Sequence, residues 1–143
     1  MLLLPSPTAL LLPAPPSDWW HDLTYPENPS IDTVEEWWPT VLMAGWRIGW
    51  PAGGPERVLR VIWCESRGDA DADWWGGSGL MQFIRPTWDW IRPKIRDDLG
   101  VDIGDDMLNP RMNILAGVWL AKWDGWSHWG TSWTWWGTAR CWG

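Results

Sequence analysis

The chain reads as mainly α. Three observations predict this. Apolar residues return at three- and four-residue spacing in four separate segments. Proline or an Asx residue opens these segments and glycine follows them, and no segment sustains a two-residue alternation. At 143 residues the chain suits one domain with modest extensions. It divides into a proline-rich N-terminal arm over residues 1–30, with little regular structure, and one helical domain over 31–143, with little or no β structure.

Residues 1–17 contain two Leu triplets but no Lys or Arg, and the first positive charge in the chain is Arg47. A secretory leader needs a basic start and an unbroken apolar run, which Pro5, Pro7 and Pro13 interrupt. Pro7, Pro13, Pro15 and Pro16 favour instead an extended, polyproline-like arm lying on the domain or on a neighbour.

The first helix is expected to start near Asp32, because Asp32-Thr33-Val34-Glu35 has the form of a capping box and Trp37, Trp38, Val41 and Leu42 follow at helical spacing. Pro39 should kink or split it, since its ring removes a donor and crowds the preceding turn. Gly45 and Gly49 lead into a loop. Gly53-Gly54-Pro55 then supplies a turn and a proline for the first turn of a second helix. Along it Val58, Val61, Ile62 and Glu65 fall at i, i+3, i+4 and i+7. A glutamate that continues a buried stripe is a candidate for a raised pKa, because burial penalises its charged form. Such an acid can keep its proton near neutrality and give it to a leaving oxygen.

Between Asp69 and Gly79 a short hairpin or irregular strands are expected. Pro86 opens a third helix carrying Trp88, Ile91 and Ile95, ended by Gly100. Asn109-Pro110 caps a fourth, with Leu115, Val118 and Trp119 on one face and Gly125 after its last turn.

Composition narrows the function classes. Lys+Arg 11 against Asp+Glu 18 gives a net charge of -7, the wrong sign for a nucleic-acid backbone. No run of apolar residues is long enough to span a bilayer as a helix. His21 and His128 are too few and too far apart for a zinc site, and no Cys-x-x-Cys occurs, so neither metal nor cofactor is expected. Asp69-x-Asp71-x-Asp73 resembles the start of a calcium loop, but Trp74 stands where that loop needs glycine and Leu80 where it needs glutamate. Nineteen tryptophans accompany one Phe and one Tyr. Two readings apply to them: filler of core and rim under G-rich codon usage, or flat indole faces that stack on sugar rings. The count alone does not separate the two.

Cys64 and Cys141 are the two cysteines. Paired, they would close a long loop worth roughly 4.5 kcal/mol in the chain-entropy model; unpaired, they would be buried thiols of a reducing compartment. A Cys64/His128 peptidase dyad is a third arrangement, open only to an unbridged Cys64.

Four motifs in order carry a family resemblance: Val61-Ile62-Trp63-Cys64-Glu65-Ser66-Arg67-Gly68, then Gly79-Leu80-Met81-Gln82-Phe83 with Pro86-Thr87-Trp88, then Asn109-Pro110 with Asn113-Ile114 and Ala116-Gly117, and finally Gly125-Trp126-Ser127-His128-Trp129. Together they resemble the lysozyme-like domain of soluble lytic transglycosylases. The nearest likeness is to actinobacterial and phage-borne members and to resuscitation-promoting factors. The resemblance covers roughly Thr33 to Gly143.

The resemblance implies a small α-helical lysozyme-like fold with a substrate cleft, a catalytic domain that cleaves the β-1,4 link between N-acetylmuramic acid and N-acetylglucosamine in peptidoglycan. By it Glu65 is the catalytic acid, Ser66 a polar neighbour of the reacting sugar, and the segment from Gly79 through Met81 to Gln82 a cleft wall, with Gln82 in direct contact. Trp126 and Trp129 complete the expected substrate-binding set. Cys64 and Cys141 are then bridged, which implies an extracytoplasmic working place, secreted or virion-associated. Peptidoglycan glycan strands are the expected partner, with other virion proteins reached through the N-terminal arm. A second carboxylate would come from Asp69, Asp71 or Asp73; without one, the substrate's own groups close the intermediate and an anhydro product forms. The late Ala-Tyr-Asn stretch of many transglycosylases has no counterpart here, and Trp126, His128 or Trp129 is expected to fill its space. The Trp133-Thr134-Trp135-Trp136-Gly137 segment is an addition without an assigned role. The alternative is a non-catalytic structural or wall-binding protein of a virion that keeps the fold, and it requires Glu65 to be exposed or salt-bridged.

Overall fold

Pro39 decides where the first long helix begins. In the computed structural model, which describes residues 34–74 and 76–129, α1 runs Trp38–Ile48 with Pro39 in its first turn. A helical turn at Val34 and Glu35 precedes it, so the expected helix is split at the proline. Asp32 and Thr33, residues 1–30, Cys141 and the Trp133 to Gly137 segment lie outside the described residues.

Helix α2 runs Gly54–Ser66, with Pro55 in its first turn and Arg67 closing it in the left-handed region at φ 57. Val58, Val61 and Ile62 are fully buried, as their spacing predicts. A two-residue hairpin follows, β1 (Asp73–Trp74) antiparallel to β2 (Gly77–Ser78), with Asp73 opposite Ser78 and Trp74 opposite Gly77. The next turn folds back on it: Ser78 and Phe83 exchange both backbone hydrogen bonds, at 2.9 and 3.0 Å.

Helix α3 runs Arg85–Leu99 and buries Trp88, Ile91 and Ile95. It tolerates Pro93 in its interior, where the proline stands exposed on the solvent side and forfeits one backbone bond. Gly100 ends it at φ 70. The loop from residue 100 to 109 is tied to α3 by side chains: the Trp88 indole donates to Gly104 O at 2.7 Å, and Arg92 Nε pairs with Asp102 at 2.7 Å. The Arg92 guanidinium and the Gly104 N–H together hold the Asp102 carboxyl well below the usual carboxylate range.

Helix α4 runs Pro110–Asp124, and Asn109 caps it by accepting from the N–H groups of Arg111 and Met112. The expected apolar stripe understates this helix. Every residue from Asn113 to Ala121 is buried, because α1 packs along it on one side and α3 on another. A helix enclosed on several sides needs apolar residues all round rather than along one face. The chain then turns through a short 3-10 helix, Trp126–His128.

One polar side chain sits inside this apolar helix. Asn113 is fully buried; its Oδ1 accepts from Met81 N at 2.8 Å, while its Nδ2 donates to Ser78 O at 3.1 Å and Met107 O at 2.7 Å. Glycine makes the approach possible. A Cβ on Gly79, whose φ is 78, would lie 2.4 Å from Asn113 Nδ2 and 2.6 Å from Met107 O. A Cβ on Gly117 would lie 2.1 Å from Met81 Sδ. Asn113→Leu should therefore destabilise the fold by about 3 kcal/mol in urea unfolding, since it strands the Met81 N–H and the Met107 carbonyl and removes one of the two bonds to Ser78 O. An unchanged midpoint would contradict this clamp.

Candidate active site

The C-terminal turn of α2 is built to hold one acid in an apolar setting. Trp63 and Ser66 flank Glu65 and are buried, while Glu65 itself keeps only partial exposure. No hydrogen bond or ion pair reaches its carboxyl among the described residues. Burial raises its pKa from 4.5 to about 7, against a smaller downward pull from the Arg67 charge. The carboxyl also stands at the negative end of the helix dipole, which disfavours ionisation further.

Arg67 does not neutralise the acid because its guanidinium turns back on the helix end. Its Nη1 donates to Trp63 O at 2.6 Å and to Cys64 O at 3.3 Å, and the group lies 4.0 Å over the Trp63 ring. A cation bonded to the last carbonyls of a helix is favourably placed. Cys64 is in a disulfide and has no free thiol, which removes it as a nucleophile.

A run of hydrogen bonds fixes the helix end relative to the 79–82 loop. Ser66 Oγ donates to Ile62 O at 2.9 Å and accepts from Gly68 N at 3.2 Å. Asp69 N bonds Ser66 O, Ala72 N bonds Asp69 O, and Ala72 O accepts from Gly79 N at 2.7 Å and from Gln82 Nε2 at 3.1 Å. Gln82 takes a left-handed backbone, φ 52, and its Nε2 donates also to Gly79 O at 2.8 Å. Both amide protons of Gln82 are therefore in use, while its Oε1 has no hydrogen-bond partner among the described residues.

The other expected substrate residues turn inward. Met81 is fully buried, and its N–H and C=O are taken by Asn113 and by the Trp129 indole at 2.8 Å. The Trp126 indole donates to Ala52 O at 2.7 Å, in the turn that opens α2, and Arg57 lies over its ring. Ser66, Gly79, Met81, Trp126 and Trp129 are thus buried in packing and backbone bonding, whereas Glu65 and Gln82 retain partial exposure. Asp69, Asp71 and Asp73 are all exposed, and Asp69 Oδ1 caps its own turn by accepting from Asp71 N at 2.9 Å.

Asn113 and Arg67 carry more of this arrangement than their place in the motifs suggests. A lone Asn in an otherwise apolar helical stretch was the available signal for the first. For Arg67 there was none, since its left-handed conformation and its fold-back are not written in the spacing.

The raised acid predicts a pH-linked stability. Below about pH 4.5 Glu65 is neutral folded and unfolded, so burial costs nothing. Between about 4.5 and 7 the unfolded chain ionises first and stability is lost; above about 7 the full penalty stands. Glu65→Gln should raise the unfolding free energy by on the order of 3 kcal/mol at pH 8 and leave it nearly unchanged at pH 4. Equal effects at both pH values would place the carboxyl in water. Comparison with protein-family models and with curated proteins finds no match to this chain.

Proposed function

We propose that this protein is a peptidoglycan-cleaving glycosidase, a lytic transglycosylase or muramidase of lysozyme-like fold, with Glu65 as its general acid and base. The observation that carries the reading is the Glu65 carboxyl: desolvated, unpartnered among the described residues, and poised near neutrality. The mainly helical fold is compatible with it.

The chemistry follows from that proton. The neutral carboxyl gives its hydrogen to the glycosidic oxygen between N-acetylmuramic acid and N-acetylglucosamine, and the bond from that oxygen to the anomeric carbon breaks. Positive charge develops on the sugar ring. Glu65, now a carboxylate in an apolar pocket, stabilises that charge and is a strong base. It takes the proton of the group that attacks the anomeric carbon. Asp69, Asp71 and Asp73, the three candidates for a second carboxylate, are all exposed, which favours a group of the substrate over a protein carboxylate as nucleophile. The sugar's own hydroxyl is therefore the expected attacking group, and the product an anhydro-muropeptide. Gln82 Oε1 is the natural acceptor for a sugar N–H or O–H.

A disulfide at Cys64 supports an extracytoplasmic working place, secreted or virion-associated. The non-catalytic alternative requires an exposed or salt-bridged Glu65, and the desolvated acid weighs against it.

Purified sacculi incubated with the protein should release muropeptides with anhydro ends by mass spectrometry. Glu65→Gln should abolish release while circular dichroism stays unchanged. Activity should fall as pH rises through about 7, where the acid loses its proton. Release by the Glu65→Gln protein at the wild-type rate would end this assignment.

A further inference from the structure

Two of the exposed large apolar side chains of the described residues stand together. Trp90 on α3 is 43% exposed and Trp123 on α4 is 54% exposed, and their rings meet at 5.6 Å in an edge-on arrangement. Their placement is built. Trp119, one turn before Trp123, is buried, stacks on it at 5.3 Å with ring planes 17° apart, and anchors its own indole N–H on Asp98 at 2.8 Å. Lys94, one turn after Trp90, holds its ammonium 5.5 Å from the Trp90 ring centre and 5.8 Å from that of Trp123. It has no carboxylate partner among the described residues. His128 lies beside Trp90 and bonds Asp124 at 2.7 Å.

We propose that Trp90 and Trp123 form a second glycan-binding surface, on which the apolar face of a sugar ring rests. Two exposed indoles in contact make an apolar patch of the kind that ligands cover. The rim selects among ligands. Lys94 offers donors, and the Asp124–His128 pair, joined through Oδ2 and Nε2, leaves Asp124 Oδ1 and the second His128 ring nitrogen, a mixture that a polyhydroxylated ring needs. A phosphate-bearing ligand would meet the Asp98 and Asp124 charges, and an apolar helix would leave the Lys94 ammonium buried and unpaired. The surface would keep the protein on the wall between cuts, with its ring edge joined to the 79–82 loop through Trp129, which touches both His128 and Phe83. That the glycan is peptidoglycan rests on the proposed function; that the ligand is a sugar rests on the surface itself.

The test uses the Glu65→Gln protein, so that the wall survives the assay, and measures its cosedimentation with purified sacculi. Adding Trp90→Ala and Trp123→Ala should weaken binding at least about tenfold, the equivalent of 1.4 kcal/mol. Trp90→Ala alone, at a ring 43% exposed, guards against misfolding and should weaken binding in the same direction. Unchanged binding in both variants, with folding verified by thermal unfolding, overturns the proposal. So does a shift from dimer to monomer in the double variant by analytical ultracentrifugation, which would make a second copy the occupant. Binding by Trp90 and Trp123 without any muropeptide release by the wild type would sink the cleavage reading and leave this surface standing.

Discussion

The buried amide of Asn113 is the contact around which the rest of the molecule is arranged. Three backbone groups from two loops, Met81 N–H, Ser78 C=O and Met107 C=O, meet on one buried side chain. In a low-dielectric interior such a network is strong when every member is satisfied and costly when one is lost. The clamp fixes the loop from residue 78 to 81 against α4, and α4 is the helix that α1 and α3 enclose. Position therefore passes from the core helix to the loop, and from the loop through Ala72 and Asp69 to the end of α2.

Residues expected to bind a ligand are used here mostly as fasteners. The indoles of Trp126 and Trp129 donate to Ala52 O and Met81 O, and the hydroxyl of Ser66 closes the helix end on Ile62 and Gly68. Each of these bonds satisfies a group that would otherwise be a buried orphan. The consequence is a closely bonded surround for one acid whose own carboxyl has no hydrogen-bond partner among the described residues. A carboxyl taken largely out of water is destabilising in its charged form, and that cost is what raises its pKa.

Arg67 shows how narrow that balance is. Its charge lies two residues from Glu65 and pulls the acid toward ionisation, yet the guanidinium is held on the carbonyls of Trp63 and Cys64 and over an indole face. The left-handed turn at residue 67 points the side chain back along the helix. Had Arg67 continued the helix, its charge would stand free to pair with the acid.

The sequence by itself determined where the helices lie and which face of α2 is buried. Val58, Val61 and Ile62, the Trp88, Ile91 and Ile95 stripe, the Asn109 cap and the glycine stops all act through local backbone geometry and periodicity, which are properties of a few neighbouring residues. Glu65 was legible for the same reason, as a carboxylate continuing an apolar stripe. Only the tertiary structure decided that α4 is enclosed on several sides, that Asn113 holds the loop, that the Gln82 amide is used internally, and that Trp90 and Trp123 share one surface. Those outcomes depend on pairs such as Met81 with Asn113 or Trp90 with Trp123, far apart in the chain, and no local pattern encodes a contact that exists only once two helices have packed.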